Sequence, residues 1–579
     1  MDVSSADPIT AAPDLAFRPP AEHYNHPNRW DIDLPPLTMP EMLARSVAAH
    51  PDAHFLEFMG RHYSYADMHR AALSFATGLQ RLGIGKGDRV GLFLPNVPIY
   101  VAAYYGAMIA GATAVNFSPL YTVEELRAQV EDSGTRLLVT LDVPMLLPTA
   151  CKVLDVSSLE TLVVGRLAEM LPWAKGLALR VLGRKQLSPL PRRPDLLAWR
   201  EMLGDPSPKP VPLNAETDLA LLQYSGGTTG TPKGAMLSHQ NLTANARQVD
   251  AIDPFRDGPD IILGVLPLFH VFANTCVLNR TMVKGGCISM LPRFDAGQAL
   301  KTLQRVRASA FPGVPTMYQA LMDNPGIEKT DFSSLLICIS GGAALSVPLH
   351  DRFEKVTGAR LVEGYGLTES SGVVAANPYQ GENRIGTIGQ PIPRTRVRLL
   401  DKEDPALDAP AGEPGELAIC GPQVMQGYWN RPDAAANAFA MRDGERWLRT
   451  GDIATVDAQG YIRIVDRSKD MITVGGFKVF PSQVEVVLLQ HPWVKEALVI
   501  GVPDEYHGEL PAAFVTLNDE AAGGREDEER PDADALCKWA NAHLGKHERL
   551  VRAEIRDSLP KTVIGKLDRK TLRKEVLGE

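Results

Sequence analysis

Paired cysteines are absent from this 579-residue chain: Cys151, Cys276, Cys287, Cys338, Cys420 and Cys537 lie far apart, with no CxxC pair or Cys/His cluster at metal-ligand spacing. That spacing argues against a disulfide framework and a structural metal, so reduced thiols are expected. A signal peptide's basic start and apolar run are also missing. The chain begins Met1-Asp2-Val3-Ser4-Ser5 and continues rich in Pro and Ala, so cytoplasmic residence is expected. Net positive charge is absent too. At −9 the chain has no general attraction to nucleic acid or anionic lipid, and any such contact needs a local basic patch. Residues 90–123 contain no charged residue at all, which raises the question of a membrane span. Pro95, Pro98 and Pro119 interrupt that stretch and Ala and Gly dominate its centre, so a strand, a core helix of about a dozen residues and another strand are expected instead. No repeat of solenoid period is present.

With 45% hydrophobic and 22% charged residues, the chain can bury several cores and should form two or more domains. Residues 1–37 are polar and Pro-rich and read as a surface-wrapping extension. Beyond Leu43, helical periodicity alternates with apolar runs such as Arg89-Val90-Gly91-Leu92-Phe93-Leu94, Leu137-Leu138-Val139-Thr140, Ile261-Ile262-Leu263-Gly264-Val265-Leu266 and Leu335-Leu336-Ile337-Cys338-Ile339. This is the pattern of an α/β fold with parallel strands buried between helices, whose ligands sit at the strands' carboxyl ends. After Asp466 the runs shorten, predicting a smaller α+β domain of roughly a hundred residues. The acidic stretch 519–534 reads as a solvated loop.

Chemistry concentrates in Tyr224-Ser225-Gly226-Gly227-Thr228-Thr229-Gly230-Thr231-Pro232-Lys233-Gly234, just after the apolar run 219–222. Gly226, Gly227 and Gly230 free the backbone to turn N–H groups inward, while Ser225, Thr228, Thr229 and Thr231 add hydroxyls and Lys233 a positive charge. Those are the needs of a polyphosphate cradle. No Gly-Lys-Ser/Thr closes it, so it is not a Walker loop. A flexible linker has no reason to follow a buried strand and end in Pro-Lys-Gly.

At these residues the chain resembles the adenylate-forming superfamily, which includes acyl-CoA synthetases, firefly luciferase and peptide-synthetase adenylation domains. The resemblance runs from about residue 40 to the end. It continues through Gly341-Gly342-Ala343, Glu363-Gly364-Tyr365-Gly366-Leu367-Thr368-Glu369, Thr450-Gly451-Asp452, Asp466-Arg467-Ser468-Lys469-Asp470 and Pro560-Lys561-Thr562 through Gly565-Lys566, in the family's order. It implies a large N-terminal domain of two α/β subdomains plus a small β-barrel at 38–468, and a mobile α+β domain at 469–579. It also implies ATP, Mg2+ and coenzyme A as the small molecules used.

Carried over residue by residue, Gly341, Gly342, Ala343, Tyr365 and Gly366 resemble the walls of an adenine site. Asp452 resembles the carboxylate that accepts the ribose hydroxyls, with Arg467 a donor near the ribose and phosphate. Thr368 resembles a phosphate contact and Glu369 the magnesium ligand, because this hard cation favours oxygen donors. Lys566 resembles the catalytic lysine that bridges the substrate carboxylate and α-phosphate. Lys469 occupies the family's hinge position and Gly476 resembles the glycine of the pantetheine tunnel, where a side chain would block the thiol. His270 and Phe272, within Pro267-Leu268-Phe269-His270-Val271-Phe272, resemble the loop at the carboxylate end of an acyl pocket, with His270 lining rather than acting as a base.

Similarity to bacterial long-chain fatty acyl-CoA synthetases extends to Val115-Asn116-Phe117-Ser118-Pro119-Leu120-Tyr121-Thr122 and Phe332-Ser333-Ser334-Leu335. It implies activation of a long-chain fatty acid with ATP and transfer to CoA. A medium-chain or aryl-acid CoA ligase is the alternative, since tertiary packing sets pocket depth. An acyl-AMP ligase should carry an insertion before the small domain, and none is evident between Asp452 and Lys478. A peptide-synthetase domain would normally precede a carrier domain, but little chain follows Lys566. A non-catalytic binding protein leaves Lys233, Glu369, Asp452 and Lys566 without a chemical rationale. In segment 162–200, Leu, Val and Trp alternate with Arg166, Lys175, Arg180, Arg184, Lys185, Arg192 and Arg193; it reads as an ordinary solvated insertion helix or a peripheral membrane contact. The partners expected are fatty acid, ATP and CoA, without nucleic acid; a homodimer stays open.

Overall fold

The uncharged stretch folds as strand Arg89–Phe93, helix Pro98–Ile109 and strand Thr113–Phe117. The helix is apolar all round and buried from Pro98 through Met108, which is the condition for a helix enclosed by protein. Pro98 at its start fits because the first turn has no internal partner for that N–H. Gly106 permits close packing on helix Tyr65–Arg81: a Cβ there would lie 2.7 Å from the Ala72 carbonyl oxygen. Among the described residues, no helix is long and apolar enough to cross a membrane.

This computed structural model describes residues 18–19, 21–225, 232–255, 260–467, 470–475, 477–518, 530–562 and 567–578. They divide into two compact units, one built from Arg18–Arg396 and Ile419–Phe439, the other mainly from Val397–Ala418 and Ala440–Glu579.

The first unit contains an eight-stranded and a nine-stranded sheet. In the eight-stranded sheet, Arg89–Phe93, Thr113–Phe117, Leu137–Leu141, Thr161–Gly165, Leu196–Ala198 and Leu219–Ser225 run parallel. Lys233–Ser238 and then Gly427–Tyr428 extend it antiparallel at one edge. The nine-stranded sheet has a parallel centre that includes Ile261–Gly264, Ala310–Gly313, Ile337–Gly341 and Arg360–Tyr365. Strands buried on both faces need near-continuous apolar runs, which is why those runs were visible in the sequence. Helix starts follow their caps: Thr38 with Glu41, Ser64 with Asp67 and Thr122 with Glu125 form reciprocal capping boxes, each satisfying two otherwise orphaned N–H groups.

Residues 21–37 have little regular structure but are pinned by specific bonds. Trp30 Nε1 donates to the Thr395 carbonyl at 3.1 Å, and Asn28 Nδ2 to the Ala251 carbonyl. Segment 162–200 is not one insertion helix. Its ends are sheet strands, Thr161–Gly165 and Leu196–Ala198, with the short helices Leu167–Met170 and Trp173–Val181 between them. Leu162, Val163 and Val164 are core residues, because the parallel sheet extends beyond Leu137–Leu141 to include them.

The second unit holds a five-stranded sheet, in which the long strand Glu445–Val456 pairs with Ile462–Arg467, and an α+β fold after it. There the hairpin Val494–Asp504 and Gly508–Leu517 separates two cores. Ala497, Val499, Ala513 and Val515 face helices Pro481–Leu488 and Ala533–His543, while Leu498, Ile500, Ala512 and Phe514 pack with Leu572 of helix Arg569–Leu577. The alternation is that of a sheet covered on both faces. The expected acidic loop ends earlier than 534, because Asp532 caps helix Ala533–His543 by accepting from the Ala535 N–H at 2.7 Å; residues 519–529 lie outside the described residues.

Candidate active site

Ser225 ends a buried strand and Lys233 begins its antiparallel partner, the two standing opposite each other in the register. The two strands pair as a hairpin whose Ser225 end lies at the carboxyl end of a parallel sheet, where open α/β sheets place ligands. The second sheet brings Glu369 to the same place. Strand Arg360–Tyr365 runs into the short helical turn Thr368–Ser370, and Ser225 Oγ donates to Glu369 Oε1 at 3.3 Å. Tyr428 donates its hydroxyl to the same oxygen at 2.8 Å, and Lys233 Nζ sits 5.3 Å from the centroid of the Tyr428 ring. Burial first and the Glu369 carboxylate second push the Tyr428 phenol well above its ordinary pKa, so it remains a neutral donor. The Met425 N–H holds the Glu369 carbonyl at 2.8 Å. Carboxylate, ammonium, hydroxyl and phenol thus converge at the hairpin's mouth.

Tyr428 was not identified from sequence. It lies far along the chain and arrives by strand pairing, Tyr428 opposite Ala235 and Gly427 opposite Met236. The neighbouring Trp429 Nε1 and Arg431 Nη2 donate to the carbonyl and carboxylate of Asp132 at 3.0 and 2.8 Å, and Tyr224 donates to the same carboxylate at 2.7 Å. The aromatic run Tyr428-Trp429 after a glycine was the available signal.

Gly341 and Gly364 stand opposite each other on adjacent parallel strands. Gly341 is buried, whereas Gly342, with φ +86°, and Ala343 are exposed where the strand ends. Tyr365, half-buried, closes the next strand, leaving an open backbone shelf beside an aromatic ring. Gly366 permits the turn that follows: a Cβ there would be 1.7 Å from the Gly372 carbonyl oxygen. Phe272 packs behind the shelf, since a Cβ on Gly341 would lie 3.0 Å from its ring. His270 caps the short helix Val271–Ala273, its Nδ1 accepting from the Phe272 N–H at 3.3 Å.

The loop carrying His270 is held by a buried polar chain also missed from sequence. Gln223 Nε2 donates to the Phe269 carbonyl at 2.9 Å, Asn116 Nδ2 to Gln223 Oε1 at 2.9 Å, and the Tyr100 hydroxyl reaches both Asn116 Oδ1 and the Leu268 carbonyl. The signal was the pair of amides, Asn116 and Gln223, inside apolar runs; buried amides require partners.

Asp452 and Arg467 belong to the second unit and are paired in strand register. The Asp452 side chain is nearly buried and Arg467 half-exposed, with Arg467 Nε 3.2 Å from Asp452 Oδ1. Gly451, at φ +74°, turns the chain before Asp452, and the Thr450 hydroxyl accepts from the Asp452 N–H while donating to the Leu417 carbonyl. These bonds hold the backbone that carries the carboxylate. Gly226, Gly227, Thr228, Thr229, Gly230, Lys469, Gly476 and Lys566 lie outside the described residues.

Similarity to known proteins covers most of the chain. Family models described as AMP-binding enzyme and AMP-binding enzyme C-terminal domain match residues 43–429 and 483–566. A long-chain-fatty-acid–CoA ligase of Bacillus subtilis is 38% identical over 550 residues, covering 94% of this chain and 96% of its own. Among solved structures, ATP-bound MatB from Rhodopseudomonas palustris superposes with TM-score 0.78 at 27% identity, over 93% of this chain and 99% of its own. The anthranilate CoA ligase AuaEII, in complex with anthranoyl-AMP, gives 0.81 at 25% identity, over 94% and 98%.

Proposed function

The chain belongs to the AMP-binding enzyme family, and from that membership we propose that it is an AMP-forming long-chain fatty acid–CoA ligase. The observation that carries the reading is the near-full-length 38% identity to such a ligase, joined to the convergence of Ser225, Lys233, Tyr428 and Glu369 at the mouth of the hairpin. In the first step a carboxylate oxygen of the acid attacks the α-phosphorus of ATP, the α–β anhydride bond breaks, and pyrophosphate leaves. In the second, the sulfur of CoA attacks the acyl carbonyl and AMP departs.

Both partners of the first step are anions, so the chain must supply positive charge and donors. Lys233, Ser225, Gly226, Gly227, Thr228, Thr229 and Gly230 are assigned to the β- and γ-phosphates, Thr368 to the α-phosphate, and Lys566 to the charge shared by carboxylate and α-phosphate. The shelf of Gly341, Gly342 and Ala343 with Tyr365 and Gly366 takes the adenine, where small residues allow close approach. Asp452 takes the ribose hydroxyls, with Arg467 beside it. His270 and Phe272 line the carboxylate end of the acyl pocket, Gly476 the path of the CoA thiol, and Lys469 the hinge between domains 38–468 and 469–579.

Glu369 is the proposed magnesium ligand. Among the described residues no group of three or more His, Cys, Asp or Glu could hold a metal, whereas magnesium typically uses one or two carboxylates together with substrate phosphates. A single carboxylate facing the phosphate hairpin and fixed by Ser225 and Tyr428 fits that pattern. The ion would neutralise phosphate charge as pyrophosphate leaves.

An aryl-acid ligase is the second reading, favoured by the similarity to the anthranilate CoA ligase. A panel of acids from acetate to oleate, with benzoate and anthranilate, tests both, assayed with ATP, magnesium and CoA by thioester mass. The long-chain reading expects the highest kcat/KM on the longest acids and loss of product in Lys566→Ala. Higher kcat/KM on an aryl acid overturns it.

A further inference from the structure

Asp132, near the end of helix Val123–Ser133, gathers hydrogen bonds from two segments that lie far apart in the chain. Its carboxylate accepts from the Tyr224 hydroxyl on one oxygen at 2.7 Å and from Arg431 Nη2 on the other at 2.8 Å. Its backbone carbonyl accepts from Trp429 Nε1 at 3.0 Å and from Asn430 Nδ2 at 3.1 Å. The Asp132 side chain is only 19% exposed, so its bonds are partly shielded from water, and bonds to an ionised acceptor are stronger than neutral ones. Burial first and the bond to Asp132 second push the Tyr224 phenol well above its ordinary pKa, which keeps it a donor.

The two segments are those that carry the donors on Glu369. Tyr224 precedes Ser225, whose Oγ is 3.3 Å from Glu369 Oε1, and Trp429 to Arg431 follow Tyr428, whose hydroxyl is 2.8 Å from the same oxygen. Strand Gly427–Tyr428 is two residues long and pairs at the sheet's edge. Around it, the Met425, Gln426 and Trp429 N–H groups donate to the Glu369, Met236 and Gly234 carbonyls. Asn430 follows with φ +53°, a left-handed backbone that Asn tolerates better than most residues. A short edge strand gains a fixed position when supporting bonds lock the residues beside it.

We propose that Asp132 is a positioning residue for adenylation: it sets the spacing between Ser225 and Tyr428, and so the placement of the Glu369 carboxylate. The proposal rests on the reading of Glu369 as the carboxylate that manages phosphate charge. Preorganised geometry is what makes such a group effective, and a misplacement of about 1 Å is costly.

A mutant cycle on the full chain tests it, followed by pyrophosphate release with oleate, ATP and magnesium at a temperature where circular dichroism shows every variant folded. Glu369→Gln alone should lower kcat about a hundredfold or more. Asp132→Ala should lower kcat about tenfold and leave the KM for oleate within about twofold, because the loop carrying His270 is held by Gln223 and Tyr100 instead. In the Glu369→Gln background, Asp132→Ala should cost no more than about a further twofold, since a residue acting through that carboxylate has no charge left to place. Arg431→Met, at a half-exposed side chain, should lower kcat about threefold and lose its effect in the same background; it carries the test where Asp132→Ala does not fold. In the ligand-free chain, Asp132→Ala should accelerate hydrogen exchange at residues 425–431. Losses that multiply to about a thousandfold in the double variant overturn the proposal. So does unchanged exchange at 425–431, or wild-type kcat in Asp132→Ala while Glu369→Gln is impaired. Full rate in Glu369→Gln overturns the reading of the site and the proposal with it, which separates the two failures.

Discussion

Glu369 shows what a single residue contributes. Its carboxylate accepts from Ser225 and Tyr428 on one oxygen, so Glu369→Gln keeps the shape and both donors' partner while removing the charge. Pyrophosphate release should fall about a hundredfold or more, with thermal stability nearly unchanged; retention of full rate across magnesium concentrations would show that the carboxylate does not manage phosphate charge. Tyr428→Phe removes only a donor, so about a tenfold fall in kcat is expected, read in the same assay. Ser225 and Glu369 were legible because their motifs are contiguous in sequence. Tyr428 was not, because only the pairing of Gly427–Tyr428 with Lys233–Ser238 brings it to the carboxylate.

Elements depend on contacts that pattern alone conceals. In the small α+β fold, Arg569 at the start of helix Arg569–Leu577 donates to Asp470 at 2.8 Å and Glu485 at 2.6 Å. Burial first raises the Glu485 pKa, and Arg569 opposes that rise. Arg569→Met leaves buried Glu485 without its cation, a change that destabilises by about 3 kcal/mol; hydrogen exchange should accelerate across residues 481–488 and 569–577. Unchanged protection would contradict the clamp. The strand-helix-strand reading of 90–123 was legible because prolines and small residues punctuate it. The strands at Thr161–Gly165 and Leu196–Ala198 were masked by the basic residues between them, since a sequence pattern does not show that two short apolar runs meet as neighbours in one sheet.

At the scale of the whole molecule, two buried histidines link folding to pH. Burial lowers His26 and His239 from 6.5 to about 4. His239 Nδ1 accepts from the Met39 N–H, a bond that requires an unprotonated nitrogen. A pKa lower in the folded than in the unfolded state means that the unfolded chain binds the proton first. Stability is therefore full above about pH 6.5 and falls as pH drops toward about 4, by on the order of 3 kcal/mol for each histidine. Calorimetry between pH 7 and 4 should show a falling thermal midpoint, and His239→Gln should flatten part of that slope; a midpoint independent of pH would contradict the linkage. The α/β class and the ordered motifs were readable from the chain because buried parallel strands impose a local composition and the motif residues are contiguous in sequence. The acid's identity was less so, since a pocket's depth is made by packing between distant segments. The central claim is tested most directly by one single-turnover reaction of oleate, ATP, magnesium and CoA, followed by mass. Stoichiometric pyrophosphate, AMP and oleoyl-CoA are predicted; pyrophosphate with acyl-AMP left untransferred, or no turnover at all, would contradict it.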